Sequence, residues 1–145
     1  MNKWLIGARL RTLPAAIAPV LVAVAIAIPE FNLLNALLCL VVGLSLQIAV
    51  NFANDYSDGI KGTDLDRVGP TRLVASGMAS AEEVKKAALT FFVIGGLAGY
   101  LLATRTSYWF IAIGAAAIIS AWRYTPRRNL CFYFLWLSRH TRYFL

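Results

Sequence analysis

Four aspartates, Asp55, Asp58, Asp64 and Asp66, stand in the stretch NFANDYSDGIKGTDLDRVGPTRL, residues 51–73, at the end of an otherwise apolar run. An aspartate at the centre of a bilayer costs roughly 2.5–3.5 kcal/mol on insertion scales, so this much negative charge either meets water or holds a ligand. Successive side chains on an α-helix turn by about 100°, which places Gln47, Asn51, Asp55 and Asp58 within a sector of roughly 80°. Two carboxylates that close repel each other unless one keeps its proton or a cation lies between them. Oxygen donors at a helix end suit Mg²⁺, which takes one or two carboxylates and fills its shell with water or phosphate oxygens. Calcium is disfavoured by spacing, because Asp55-Tyr56-Ser57-Asp58-Gly59 breaks the EF-hand order and no glutamate follows where that loop needs one. Zinc is disfavoured by chemistry, since the stretch holds neither histidine nor paired cysteines. Lys61, Arg67 and Arg72 are odd companions for a bare cation. They suit a cation carrying an anionic ligand such as a diphosphate, whose departing charge metal and basic groups stabilise together.

Three other readings stay open on the residues alone. The cluster can be a solvated helix end; its acidic face can line a cation path, because intramembrane carboxylates often mark such paths; or the chain can be an accessory membrane protein without chemistry. The single-faced spacing of Asn51, Asp55 and Asp58 favours a binding site.

The elements that must position this face are helices. Of 145 residues, 59% are hydrophobic and 14% charged, against a usual charged share of about 25%, which indicates a polytopic membrane protein. Residues 13–28, 33–54, 87–104 and 108–124 are apolar and long enough, or nearly so, to cross roughly 30 Å of hydrocarbon as helices. The expected fold class is therefore all-α, a membrane helix bundle of about four transmembrane helices. Pro14 is tolerated in a first helical turn, whereas Pro19, further in, is expected to bend or open the first span. Ser80 and Glu83 form a capping box that starts the third helix. Gly95 and Gly99 have GxxxG spacing, best used for close packing within the bundle rather than for dimerisation. Trp109 and Trp122 read as interfacial anchors. Cys39 and Cys131 imply neither a disulfide nor a metal cluster, and His140 is given no role.

The net charge of +7 follows the membrane. Lys3, Arg9 and Arg11 precede the first span; Lys61, Arg67, Arg72, Lys85 and Lys86 lie between the second and third; Arg123, Arg127, Arg128, Arg139 and Arg142 follow the fourth; Arg105 alone falls on the other side. By the positive-inside rule the N-terminus and the aspartate-rich loop are cytoplasmic in a multi-pass protein of the cell membrane. Nucleic acid is not an expected partner, because no soluble basic face is formed. A cleaved signal peptide is disfavoured by Pro14, Pro19 and the three spans that follow.

The segments NFANDYSDGIKGTD and RVGPTRLVASG, with the opening ARLRTLPAAIAPV, resemble the naphthoate branch of the UbiA prenyltransferases. The resemblance covers residues 5–125. It implies an integral membrane enzyme of about nine helices that joins a polyprenyl diphosphate to 1,4-dihydroxy-2-naphthoate, releasing pyrophosphate and carbon dioxide, in menaquinone biosynthesis. Carried over by position, Asn51, Asp55 and Asp58 hold Mg²⁺ against the diphosphate, Asp55 and Asp58 being the catalytic pair. Asn51, Lys61, Arg67 and Arg72 bind the donor, and Asp64 and Asp66 are weaker candidates. The resemblance further implies a second aspartate motif, which these residues lack. Residues 1–125 are thus expected to be the N-terminal half of a UbiA-type fold, residues 126–145 an unrelated, out-of-frame tail, and the isolated chain inactive.

Overall fold

The computed structural model describes residues 2–61 and 72–124, apart from the side chains at 61 and 122–124. These residues form helices α1 (Lys3–Ala8), α2 (Pro14–Ala27), α3 (Leu33–Lys61), α4 (Ala81–Arg105) and α5 (Trp109–Tyr124), with a 3₁₀ turn at Leu10–Thr12 and no strand among them. The all-α expectation holds. The tail from 125 to 145, with Cys131 and His140, lies outside the described residues.

The first span is broken, but not where its internal proline suggested. The helix α2 runs through Pro19 to Ala27; the break lies earlier, where Arg9 adopts the left-handed conformation (φ 53°, ψ 65°) and ends α1. The stretch Lys3–Thr12 as a whole meets α2 at 47°. A non-glycine residue is uncommon in that region of backbone space and is kept there by its surroundings. Pro14 opens α2 at its first position, where a missing N–H costs nothing.

With 29 residues, α3 is roughly 43 Å long, about 13 Å more than the hydrocarbon core. As the shared face of Asn51, Asp55 and Asp58 requires, it continues beyond Asn54, and it runs on through Gly59 to Lys61. If Leu33 marks one boundary of the hydrocarbon, the turns carrying Asp55 and Asp58 stand beyond the other. The capping box of α4 is present, with Ser80 N–H donating to Glu83 Oε2 at 2.9 Å and Glu83 N–H to Ser80 Oγ at 3.2 Å.

The helices α3 and α4 run antiparallel. Arg105 Nε donates to Asn35 Oδ1 at 2.9 Å at one end, and at the other Lys85 Nζ lies 5.8 Å from the Tyr56 ring centroid. Small residues permit the approach: a Cβ at Gly95 would stand 3.3 Å from Ser45 Cβ, and one at Gly99 3.8 Å from Val42. Both glycines of the GxxxG pair therefore face α3, inside the bundle. The core gathers at the end bearing the aspartates, where Ala49, Phe52, Ala53, Val84, Ala88 and Phe92 are buried. There the Phe52 ring stacks on Phe91 and meets Trp4 edge-on, both at 6.0 Å between centroids.

Among the described residues two helices, Leu33–Ile60 and Ala81–Arg105, are long and apolar enough to cross a membrane, and the bent pair Lys3–Thr12 and Pro14–Ala27, taken as one span, makes a third. The expected fourth span is helical as α5, whose 16 described residues rise roughly 24 Å; the residues from 125 on lie outside the described ones. Trp109 at its start is 79% exposed.

Candidate functional site

The cytoplasm-directed end expected of α3 is packed rather than solvated. Asn51, Asp55, Ser57 and Asp58 are 5%, 1%, 2% and 2% exposed. A helix end that merely met water would not bury two carboxylates this far, because each unpaired buried charge is costly. Protein donors meet both. Asp55 Oδ2 accepts the backbone N–H of Leu73 at 2.8 Å and Oδ1 that of Val74 at 3.4 Å. Asp58 Oδ2 is 2.8 Å from Arg72 Nη2.

The donors come from one short strap, Arg72-Leu73-Val74, which crosses the face of α3. Two glycines let it lie flat. A Cβ on Gly7 would come within 2.5 Å of Phe52 Cε1 and 2.7 Å of Leu73 Cδ1, and one on Gly59 would collide with Val74. Leu73 is wholly buried as a result. This explains why the helix runs through Gly59: the glycine is there to let Val74 approach, and it does not end the helix.

On the other side of the face, Asn51 is held by the break in the first span. Its Nδ2 donates to Ala8 O and to Thr12 Oγ1, both at 2.9 Å, and Thr12 Oγ1 donates to Arg9 O at 2.9 Å. Of the residues singled out from sequence, Asn51, Asp55, Asp58 and Arg72 are thus brought together. Gln47, a turn earlier, is half-buried. The Lys61 side chain, Arg67, Asp64 and Asp66 lie outside the described residues. Sequence reasoning did not reach Thr12, Ala8, Gly7 or the Leu73 and Val74 amides; Gly7 and the Arg-Thr-Leu-Pro run were visible signals of a chain break, but not of its partner.

Residues 16–143 match UbiA, the UbiA prenyltransferase family. The chain belongs to the UbiA family. It is 51% identical over 125 residues to the 1,4-dihydroxy-2-naphthoate octaprenyltransferase of Mycobacterium tuberculosis, covering 85% of this chain and 43% of that protein. Proteins of the same name from Mycobacterium leprae and Escherichia coli are 46% and 37% identical over 125 and 131 residues, covering 85% and 84% of this chain. The chain spans 43% and 42% of the length of the two mycobacterial relatives and 42% of the Escherichia coli one. No solved structure matches it. Its helices are those of a partial UbiA-type membrane bundle.

The donor set of this UbiA chain suits a hard divalent cation. Asn51, Asp55 and Asp58 offer oxygen and no sulfur or imidazole, the preference of Mg²⁺. Two carboxylates and an amide are fewer than a complete protein cage, and no group of three or more His, Cys, Asp or Glu forms among the described residues. A cation here needs oxygens from its ligand, as Mg²⁺ commonly takes from phosphates.

Proposed function

We propose that this chain is part of an enzyme that moves a polyprenyl group from a polyprenyl diphosphate to 1,4-dihydroxy-2-naphthoate, in menaquinone biosynthesis, with Mg²⁺ as its cation. The observation that carries the reading is the juxtaposition of Arg72 with Asp58 at 2.8 Å, on a buried face shared with Asn51 and Asp55. A guanidinium beside carboxylates is what a metal with an anionic ligand requires, and Arg matches phosphate oxygens with its planar fork of donors. The names of the relatives supply the substrates.

In this reading Asn51, Asp55 and Asp58 hold the cation, and Arg72, with Lys61 and Arg67, faces the diphosphate oxygens. When bound, Mg²⁺ supplies positive charge against the departing pyrophosphate. Arg72 changes partner as the donor arrives, leaving Asp58 for a phosphate oxygen. The apolar side chains of α3 and α4 shelter the prenyl chain and keep water from the allylic cation formed as the carbon–oxygen bond breaks and pyrophosphate leaves; the electron-rich naphthoate ring attacks that cation and loses its carboxylate as carbon dioxide. The site lies at the cytoplasmic face of the cell membrane, on the side of Lys3, Arg9 and Arg11.

The cation-path reading gains nothing from this geometry, since Asp55 and Asp58 face backbone amides and Arg72. The test is binding of farnesyl diphosphate to the chain in lipid nanodiscs, with and without Mg²⁺. Binding that requires Mg²⁺ and is lost in Asp55→Asn and Asp58→Asn supports the proposal; Mg²⁺-independent binding, or none, overturns it.

A further inference from the structure

The orientation of the Asn51 carboxamide is dictated by the broken first span. A carboxamide has two N–H donors at one end and an acceptor oxygen at the other, ends of nearly equal size, so its neighbours decide which way it faces. Both donors of Asn51 are used, one on Ala8 O and one on Thr12 Oγ1. The Ala8 carbonyl can only accept. A threonine hydroxyl can do either, but Thr12 gives its one hydrogen to Arg9 O, so toward Asn51 its oxygen can only accept. Two acceptors therefore fix the nitrogen end, and Oδ1 is turned away from them.

The Ala8 acceptor exists because Arg9, in the left-handed conformation, ends α1 and leaves the Ala8 carbonyl to Asn51, while the Arg9 carbonyl accepts both the N–H and the hydroxyl of Thr12, at 2.8 and 2.9 Å. Without that break the Ala8 carbonyl would accept from its own helix.

We propose that Thr12 is a positioning residue for the metal: through the Arg9 O···Thr12···Asn51 relay it holds the Asn51 oxygen toward the cation. This rests on the reading of Asn51 as a ligand given above. Partners that orient a metal ligand typically change metal affinity by about 10- to 100-fold when removed. Thr12→Val keeps the shape but removes the acceptor for one of the two Asn51 N–H groups, leaving the amide held by Ala8 O alone.

The test uses the full chain in nanodiscs with farnesyl diphosphate, reading bound Mn²⁺ from the loss of its free-ion paramagnetic resonance signal. The expected result is about tenfold weaker Mn²⁺ binding in Thr12→Val, wild-type binding in Thr12→Ser, and no further loss when Thr12→Val is added to Asn51→Ala. If valine does not fold, Thr12→Ala repeats the measurement with a smaller side chain. Unchanged affinity in the Thr12 variants, or a loss that persists undiminished in the Asn51→Ala background, overturns the inference while leaving Asn51 a ligand. Unchanged affinity in Asn51→Ala alone removes Asn51 from the site and the inference with it.

Discussion

Asp55 is tied to Leu73, eighteen residues away in the chain, by a buried hydrogen bond of 2.8 Å from the Leu73 amide to Oδ2. A hydrogen bond to a charged acceptor contributes about 1.5–3 kcal/mol. Asp55→Ala is therefore predicted to speed hydrogen exchange of the Leu73 and Val74 amides by about tenfold or more. Equal exchange at Leu73 in wild type and Asp55→Ala would show that the strap is held by something else.

A second prediction concerns the space beneath the strap. A methyl added at Gly7 meets Phe52 at 2.5 Å and Leu73 at 2.7 Å, and overpacking of this kind costs about 1–3 kcal/mol, against a gain of up to about 1 kcal/mol in helix propensity for Gly to Ala. Gly7→Ala should lower the unfolding temperature. At Gly114 the same methyl meets nothing within 4 Å, so Gly114→Ala should leave it unchanged or raise it. Thermal unfolding in one detergent compares the two directly, and a more stable Gly7→Ala would contradict the packing described.

How far these features could be read from sequence depends on whether they are local. The common face of Asn51, Asp55 and Asp58 follows from helical periodicity, and the Ser80–Glu83 box from two residues three apart; both are as expected. The break at Arg9 is not local. Arginine has no preference for the left-handed region, and what rewards it there is Asn51, more than forty residues away, bonding to Ala8 O. The eye goes to Pro19 instead, because a proline is a visible breaker. The burial of the carboxylates was likewise hidden, since it depends on the Arg72-Leu73-Val74 strap, whose sequence reads as loop. The fourth apolar run was local too: α5 follows the expected 108–124 almost residue for residue, as far as the described residues go.

Orientation gives a third prediction. Lys3 pairs with Glu83 at 3.6 Å, so the basic N-terminus and the start of α4 share one end, while Arg105 bonds Asn35 at the other. With the basic end inside, a single cysteine at Ser80 should resist a membrane-impermeant maleimide in intact cells and react after lysis, and one at Thr106 should react in both. The reverse pattern would invert the assigned topology and place the site outside.

The pair Arg72–Asp58 allows fold and function to be separated. Their side chains are 13% and 4% exposed, and removing one partner of a buried pair leaves an uncompensated charge at about 3–5 kcal/mol. Replacing both by apolar side chains of similar volume is often nearly neutral. Arg72→Ala and Asp58→Ala are each predicted to lower stability sharply, whereas Arg72→Met with Asp58→Leu should recover much of it. If the two residues serve only the fold, the recovered double variant binds farnesyl diphosphate as the wild type does. If Asp58 holds a cation and Arg72 a phosphate, stability returns without Mg²⁺-dependent binding, and Arg72→Lys, which keeps the charge but not the fork, restores it only in part. A stable double variant that still binds the diphosphate with Mg²⁺ would reduce this pair to a structural clasp.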